Sequence, residues 1–235
     1  MALLEVIPKG SRFDGCTLIA GFHGIGATGY WSVKYMIQQL KAERAAFIDS
    51  EYIPPVAAVQ GGKLATPHEL ARKGDLVFLK IDVPLSREFE VKFYRELAQW
   101  IVGAGFKEVA LIGGLDASLK VDDSTHRIVC TSAFQPTGKL SESAILEDDH
   151  VIVGPVAILL NYFEVMKFPA YAVLSYASTE RADPRAASSA IGLMSNIYGF
   201  SIDTSALMKG AEVMESDSFR DEPNIDKRSG DSMYT

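Results

Sequence analysis

Short runs rich in apolar and β-branched residues recur along the chain, at Thr17–Phe22, Ala45–Asp49, Val56–Val59, Leu76–Ile81, Glu108–Ile112, Arg127–Thr131, Val151–Val153 and Ala170–Ser175. Their hydrophobicity is continuous rather than alternating, the pattern of strands covered on both faces. Between them apolar residues return with a helical period. Gly26, Tyr30, Val33, Ile37 and Leu40 form one stripe, and Phe89, Phe93, Leu97, Trp100, Ile101 and Ala104 a second. A third helix is announced by Asp183 as N-cap and Pro184 at its first position, with Ala187, Ile191, Met194 and Tyr198 on its buried face. A last helix is expected over Thr204–Glu215. The alternation predicts an α/β protein, a three-layer α/β/α domain around a central mostly parallel or mixed sheet.

Length and charge refine this picture. The 235 residues suit one large domain plus an appendage. With 23 basic and 30 acidic residues the net charge is −7, and no dense basic cluster occurs, which argues against a nucleic-acid partner. The charge is uneven: residues 206–235 hold four basic and seven acidic residues. From Ser216 to Ser232 the large apolar residues are Phe219 and Ile225, too few to offset chain entropy. The expected division is therefore a domain over residues 1–215 and a flexible acidic tail over 216–235. No apolar stretch approaches the roughly 18 residues of a membrane span, and Met1–Glu5 does not read as a signal peptide. Cys16 and Cys130 form no disulfide framework, which suits a reducing cytoplasm.

The sharpest local signal is Gly21-Phe22-His23-Gly24-Ile25-Gly26-Ala27-Thr28-Gly29, between an expected strand and an expected helix. Gly24, Gly26 and Gly29 have dinucleotide-fingerprint spacing, and Asp49 falls where a ribose-binding acid would follow. This leaves open a nucleotide-binding enzyme, either an NAD-linked oxidoreductase or an ATP-dependent one. The competing reading is architectural, since a strand turning tightly into a helix needs glycines in any case. The remaining chain favours the second reading, with no cofactor, no metal and no catalytic residue expected. Gly61-Gly62-Lys63-Leu64 and Gly138-Lys139-Leu140 lack phosphate-loop spacing, and His23, His68, His126 and His150 are scattered. Asp148-Asp149-His150 and Asp122-Asp123 read as acidic turns, and Cys130 as a packed strand residue. His23 is the best single catalytic candidate.

Several blocks together resemble the proteasome assembly chaperone family, in its archaeal branch. They are Leu18–Gly26 with its helix, Ile48-Asp49-Ser50-Glu51-Tyr52-Ile53-Pro54-Pro55-Val56, Val109–Gly114, and Asp183-Pro184-Arg185-Ala186-Ala187 running to Gly199-Phe200-Ser201-Ile202-Asp203. The resemblance covers about residues 15–215. One departure is Gly154-Pro155-Val156-Ala157, where the family has a more glycine-rich turn. The resemblance implies a nucleoside-phosphorylase-like domain, glycines that shape the turn without a nucleotide, and a non-catalytic chaperone or adaptor in the cytoplasm. Some members carry an ATP-grasp label, for which no supporting residues are found here.

The sequence closes on Met233-Tyr234-Thr235, a hydrophobic residue, a tyrosine and a final residue. This looks like the tail with which proteasome activators and some assembly chaperones dock between α-subunits of the core particle. The carboxylate can pair with a lysine, while the tyrosine ring gives apolar area with a hydroxyl handle. The preceding 17 residues would reach roughly 20–25 Å as a flexible tether. Weak single tails gain from avidity, so a homo-oligomer is expected.

Overall fold

The protein is described by a computed structural model covering residues 4–140 and 145–210. Among the described residues, besides the helical residues 205–210, ten strands and four α-helices order as β1 (Leu4–Ile7), β2 (Thr17–Gly21), α1 (Thr28–Gln39), β3 (Glu43–Ser50), β4 (Ala58–Gln60), β5 (Lys63–Ala65), β6 (His68–Lys73), β7 (Leu76–Ile81), α2 (Arg87–Gly103), β8 (Glu108–Asp116), β9 (His126–Cys130), α3 (Gly154–Val165), β10 (Ala170–Ala177) and α4 (Pro184–Tyr198). Eight strands form one sheet in the order β1-β3-β6-β7-β2-β8-β10-β9. The run β7-β2-β8-β10 is parallel, whereas β1-β3-β6-β7 and β10-β9 pair antiparallel. The sheet is mixed, and the three-layer α/β/α expectation holds.

Strand parity separates two cores. On β2, Leu18 and Ala20 face one cluster and Ile19 the other. Likewise Leu79 opposes Phe78 on β7, Leu111 opposes Ile112 on β8, and Leu174 opposes Val173 on β10. The first cluster is covered by α2 and α3 through Phe93, Leu97, Leu159 and Phe163; the second by α1 and α4 through Val33, Met36, Ile191 and Met194. Continuous apolar runs are what such double coverage demands.

The structure departs from the sequence expectations at several points. Val151–Val153 is not a strand. Ile152 packs against the core while Val151 and Val153 stay exposed, and the run, extended at Val153, has no ladder. The run Val56–Val59 contributes only to β4, which pairs with β5 in a separate hairpin and not in the main sheet. The two residues between them, Gly61 and Gly62, have φ of 57° and 72°, the left-handed pair of a tight hairpin turn, which explains that glycine pair. Gly26 precedes α1 at φ 62° rather than lying within it. Residues 205–210 are helical, and the remainder of the helix expected to Glu215 lies outside the described residues.

Four elements were not anticipated: β1, β5, β6 and α3. β1 is short. β6 reads polar, yet His68 and Glu69 are buried, Glu69 because it is ion-paired. α3 is apolar nearly all round, which hides its period. Asp183 and Pro184 start α4 as expected, and the Asp183 carboxylate accepts from the N–H groups of Arg185 and Ala186 at 3.1 Å.

Candidate functional site: a glycine knot beside an apolar cleft

β2 lies between β7 and β8, and the connections leaving β2 and β7 go to opposite faces, to α1 and α2. In open α/β sheets a crevice forms at the carboxyl ends of such strands. Here it is a cleft of about 490 Å³, walled by Phe22, Leu85, Leu115, Val151, Val153 and Leu174 among others. Its ionisable lining groups are His23, Arg87 and Glu90. It is suited to an apolar side chain or similar group more than to a charged cofactor.

The glycine turn forms one flank, and its close approaches are filled by the protein's own backbone. A Cβ at Gly29 would overlap the Ile112 carbonyl of β8 and lie 2.7 Å from the Phe22 nitrogen. A Cβ at Gly21 would overlap the Gly29 carbonyl, and one at Gly114 the Ile25 carbonyl. Gly26 needs its φ of 62°, and a Cβ there would sit 2.7 Å from that of Ala177. Its carbonyl accepts the Asp183 N–H at 2.8 Å. Three sequence blocks, Gly21–Gly29, Gly113-Gly114 and Asp183-Pro184, thus meet in one knot. Gly24 differs: it is exposed, extended, and a Cβ there meets nothing within 4 Å.

Asp49 does not join this turn. It is exposed on β3 opposite Glu5, and β6 and β7 lie between β3 and β2. At about 4.8 Å per strand step, three steps put it well beyond ribose distance. The Gly24, Gly26, Gly29 and Asp49 set is therefore divided, because adjacency in sequence order is not adjacency in the sheet.

His23 is half-buried and stacks on Tyr30 with ring centroids 4.0 Å apart; its Nδ1 is buried without a hydrogen-bond partner. Burial pushes its pKa down, with Asp82 pulling it up and Lys34 down, so the imidazole is neutral near pH 7. His68 is fully buried; its Nε2 lies 2.9 Å from the Val83 carbonyl, and burial likewise lowers its pKa. On the sheet's other face Lys80 links Glu69 at 3.4 Å and Asp82 at 3.0 Å. Burial disfavours the charged Glu69, but bonds from the Thr66 hydroxyl and N–H, then Lys80 and Arg44, outweigh it and hold the carboxyl below its usual range.

Beyond the cleft, Arg127 on β9 is 1% exposed and binds Asp122 at 2.9 Å and Glu147 at 2.8 Å, beneath the Tyr176 ring. The pairing was not read from sequence; an arginine inside an apolar strand run is the signal that could have found it. Asp148-Asp149-His150 is a turn with Asp149 at φ 66°. Among the described residues no group of three or more His, Cys, Asp or Glu side chains is placed to hold a metal. Cys130 is half-buried and burial raises its thiol pKa, in keeping with packing. Gly154-Pro155 starts α3. No helix among the described residues is long and apolar enough to cross a membrane. Met233, Tyr234 and Thr235, with the tail over 216–235, lie outside the described residues.

A doubly covered mixed sheet, with a strand-to-helix turn closed on its own backbone, defines the class: a three-layer α/β/α domain with an apolar cleft at its switch point. A sequence model of the PAC2 family matches residues 18–218, and the chain belongs to that family. The fold is similar to that of Pyrococcus furiosus PbaA, described as an archaeal homolog of proteasome-assembly chaperone. That similarity has a TM-score of 0.74 and 17% identity, over 92% of this chain and 95% of that one. P. furiosus PbaB, described as an archaeal proteasome activator, gives 0.70 and 18%, over 94% and 99%. A Thermoplasma acidophilum protein of unknown function gives 0.68 and 22%, over 89% and 87%. Comparison with curated proteins returns no match.

Proposed function

We propose that this protein is a non-catalytic proteasome assembly chaperone or adaptor of the archaeal type, cytoplasmic and homo-oligomeric. Its body, residues 1–215, would bind α-subunits of the core particle, and residues 216–235 would act as an acidic tether presenting Met233, Tyr234 and Thr235 for docking between them. The observation that carries this reading is the PAC2 match across nearly the whole body. The chaperone homolog and the activator among its structural neighbours support the choice of partner. The glycine turn supports a role without a nucleotide, because a Cβ at Gly26, the glycine that would let a pyrophosphate approach, meets Ala177 and Asp183 instead.

The test is capture of core particle and of isolated α-subunits by the full chain and by a chain lacking residues 233–235. Capture that weakens sharply on deletion is expected. Equal capture by both would remove the tail's role, and no capture by either would overturn the function.

A further inference from the structure

The loops beside Arg127 present a surface that the reading above does not use. Residues 116–123 and 145–153 are brought together because one buried guanidinium holds Asp122 from the first and Glu147 from the second. Residue 145 is further fixed by a parallel bridge between Ile145 and Ile128, and the Leu146 N–H donates to the Ile128 carbonyl at 2.9 Å. On these pinned loops Val121, Ile145, Val151 and Val153 are 76%, 71%, 83% and 74% exposed. Val151 and Val153 also form the rim of the 490 Å³ cleft, whose walls are mostly apolar, with His23, Arg87 and Glu90 as the ionisable groups.

The charge on these two loops is one-sided, although Arg87 also lines the cleft. The two loops carry six carboxylates and a single lysine, Lys120. Asp123, Asp148 and Asp149 are exposed, while the Arg127 cation is turned inward and spent on its two partners. Exposed aliphatic groups around a cavity mark a contact site, and an acidic rim selects a cationic partner and speeds its encounter. A two-fold contact of this face with its own copy would set carboxylates against carboxylates.

We infer that the face formed by residues 116–123 and 145–153 docks a segment of another protein in which an aliphatic or aromatic side chain, flanked by Lys or Arg, enters the cleft. This rests on the chaperone reading only for the partner's identity, an α-subunit.

The full-length protein, Val151→Ser/Val153→Ser and Asp123→Lys/Asp148→Lys are compared. All four side chains are exposed, so folding is preserved, which circular dichroism checks. The probes are isolated α-subunit and an array of short peptides that are basic-aliphatic, acidic-aliphatic or neutral. Both variants should bind α-subunit at least about tenfold more weakly, and the charge variant should lose the wild type's sensitivity to salt. The wild type should select basic-aliphatic peptides. Undiminished α-subunit capture by both variants, with no peptide preference, overturns the inference while leaving the chaperone function standing. Basic-aliphatic peptides bound at this face with no α-subunit capture by the wild type would support the docking face and sink the chaperone function. A change of oligomeric state in the variants, without loss of heterologous binding, would make the face a self-interface and overturn the inference.

Discussion

The glycine turn offers a measurement that separates architecture from cofactor binding. If Gly24 and Gly26 let the backbone approach a pyrophosphate, alanine at either would chiefly harm binding, whereas Gly29 packs helix on sheet under both readings. The packing gives a different order. At Gly24 the backbone is extended and the added Cβ meets nothing. Gly24→Ala should therefore be neutral, or stabilise by up to about 1 kcal/mol through the unfolded chain. At Gly26 alanine must hold a left-handed conformation, costing about 1–2 kcal/mol, and press on Ala177, costing about 1–3 kcal/mol. At Gly29, a helical position, alanine without a clash would gain about 1 kcal/mol of helix propensity. Its Cβ instead overlaps the Ile112 carbonyl, a backbone atom that cannot rotate aside, so α1 must part from β8. We expect a net loss of about 3 kcal/mol or more. Urea unfolding of the three variants, read by midpoint at constant slope, measures the order. A stabilised or neutral Gly29→Ala, or a Gly24→Ala as damaging as Gly29→Ala, would refute the architectural reading.

Other expectations follow from the polar contacts. Glu69→Gln strips a buried carboxylate from Lys80 while Asp82 remains, so a loss of about 1–3 kcal/mol is expected. Because the folded Glu69 pKa is lowered, its contribution is complete above the unfolded value of about 4.3 and fades as pH falls through the folded value. Denaturation curves of wild type and variant should converge in acid. His68 is buried neutral, so the unfolded chain gains the proton first and the protein loses stability as pH falls below about 6.5. His68→Leu should flatten that slope, with His23 and His126 retaining part of it; an unchanged slope would exclude His68 as its source. Arg127→Met should leave the sheet intact but raise hydrogen exchange over residues 145–153, and unchanged exchange there would show that the guanidinium does not pin the loop.

Much of the fold was legible because double coverage writes itself as apolar runs: Leu76–Ile81 and Ala170–Ser175 are such strands, and Asp183-Pro184 carries its own cap chemistry. β6 was not, because Glu69 is tolerated inside only through Arg44 and Lys80, partners remote in sequence. Val151–Val153 reads as a strand and α3 does not show, since a short β-branched run and an all-round apolar helix both lack a decisive period. The glycines were legible as a turn, but Asp49 was not, because strand order is set by crossovers that spacing does not reveal. The arginine-pinned face depends on three residues spread over 26 positions, Asp122, Arg127 and Glu147, which nothing local connects.

The separation of side chains by strand parity carries a further consequence. Leu111 and Ile112 are neighbours in the chain yet belong to different packing problems, one solved with α2 and α3 and the other with α1 and α4. Substitutions at such neighbours share few partners, so their costs should sum nearly independently. A lineage could then refit one side of the sheet, volume for volume, without renegotiating the other. Two half-sized searches replace one large one, so the backbone can persist while the residues that line it turn over.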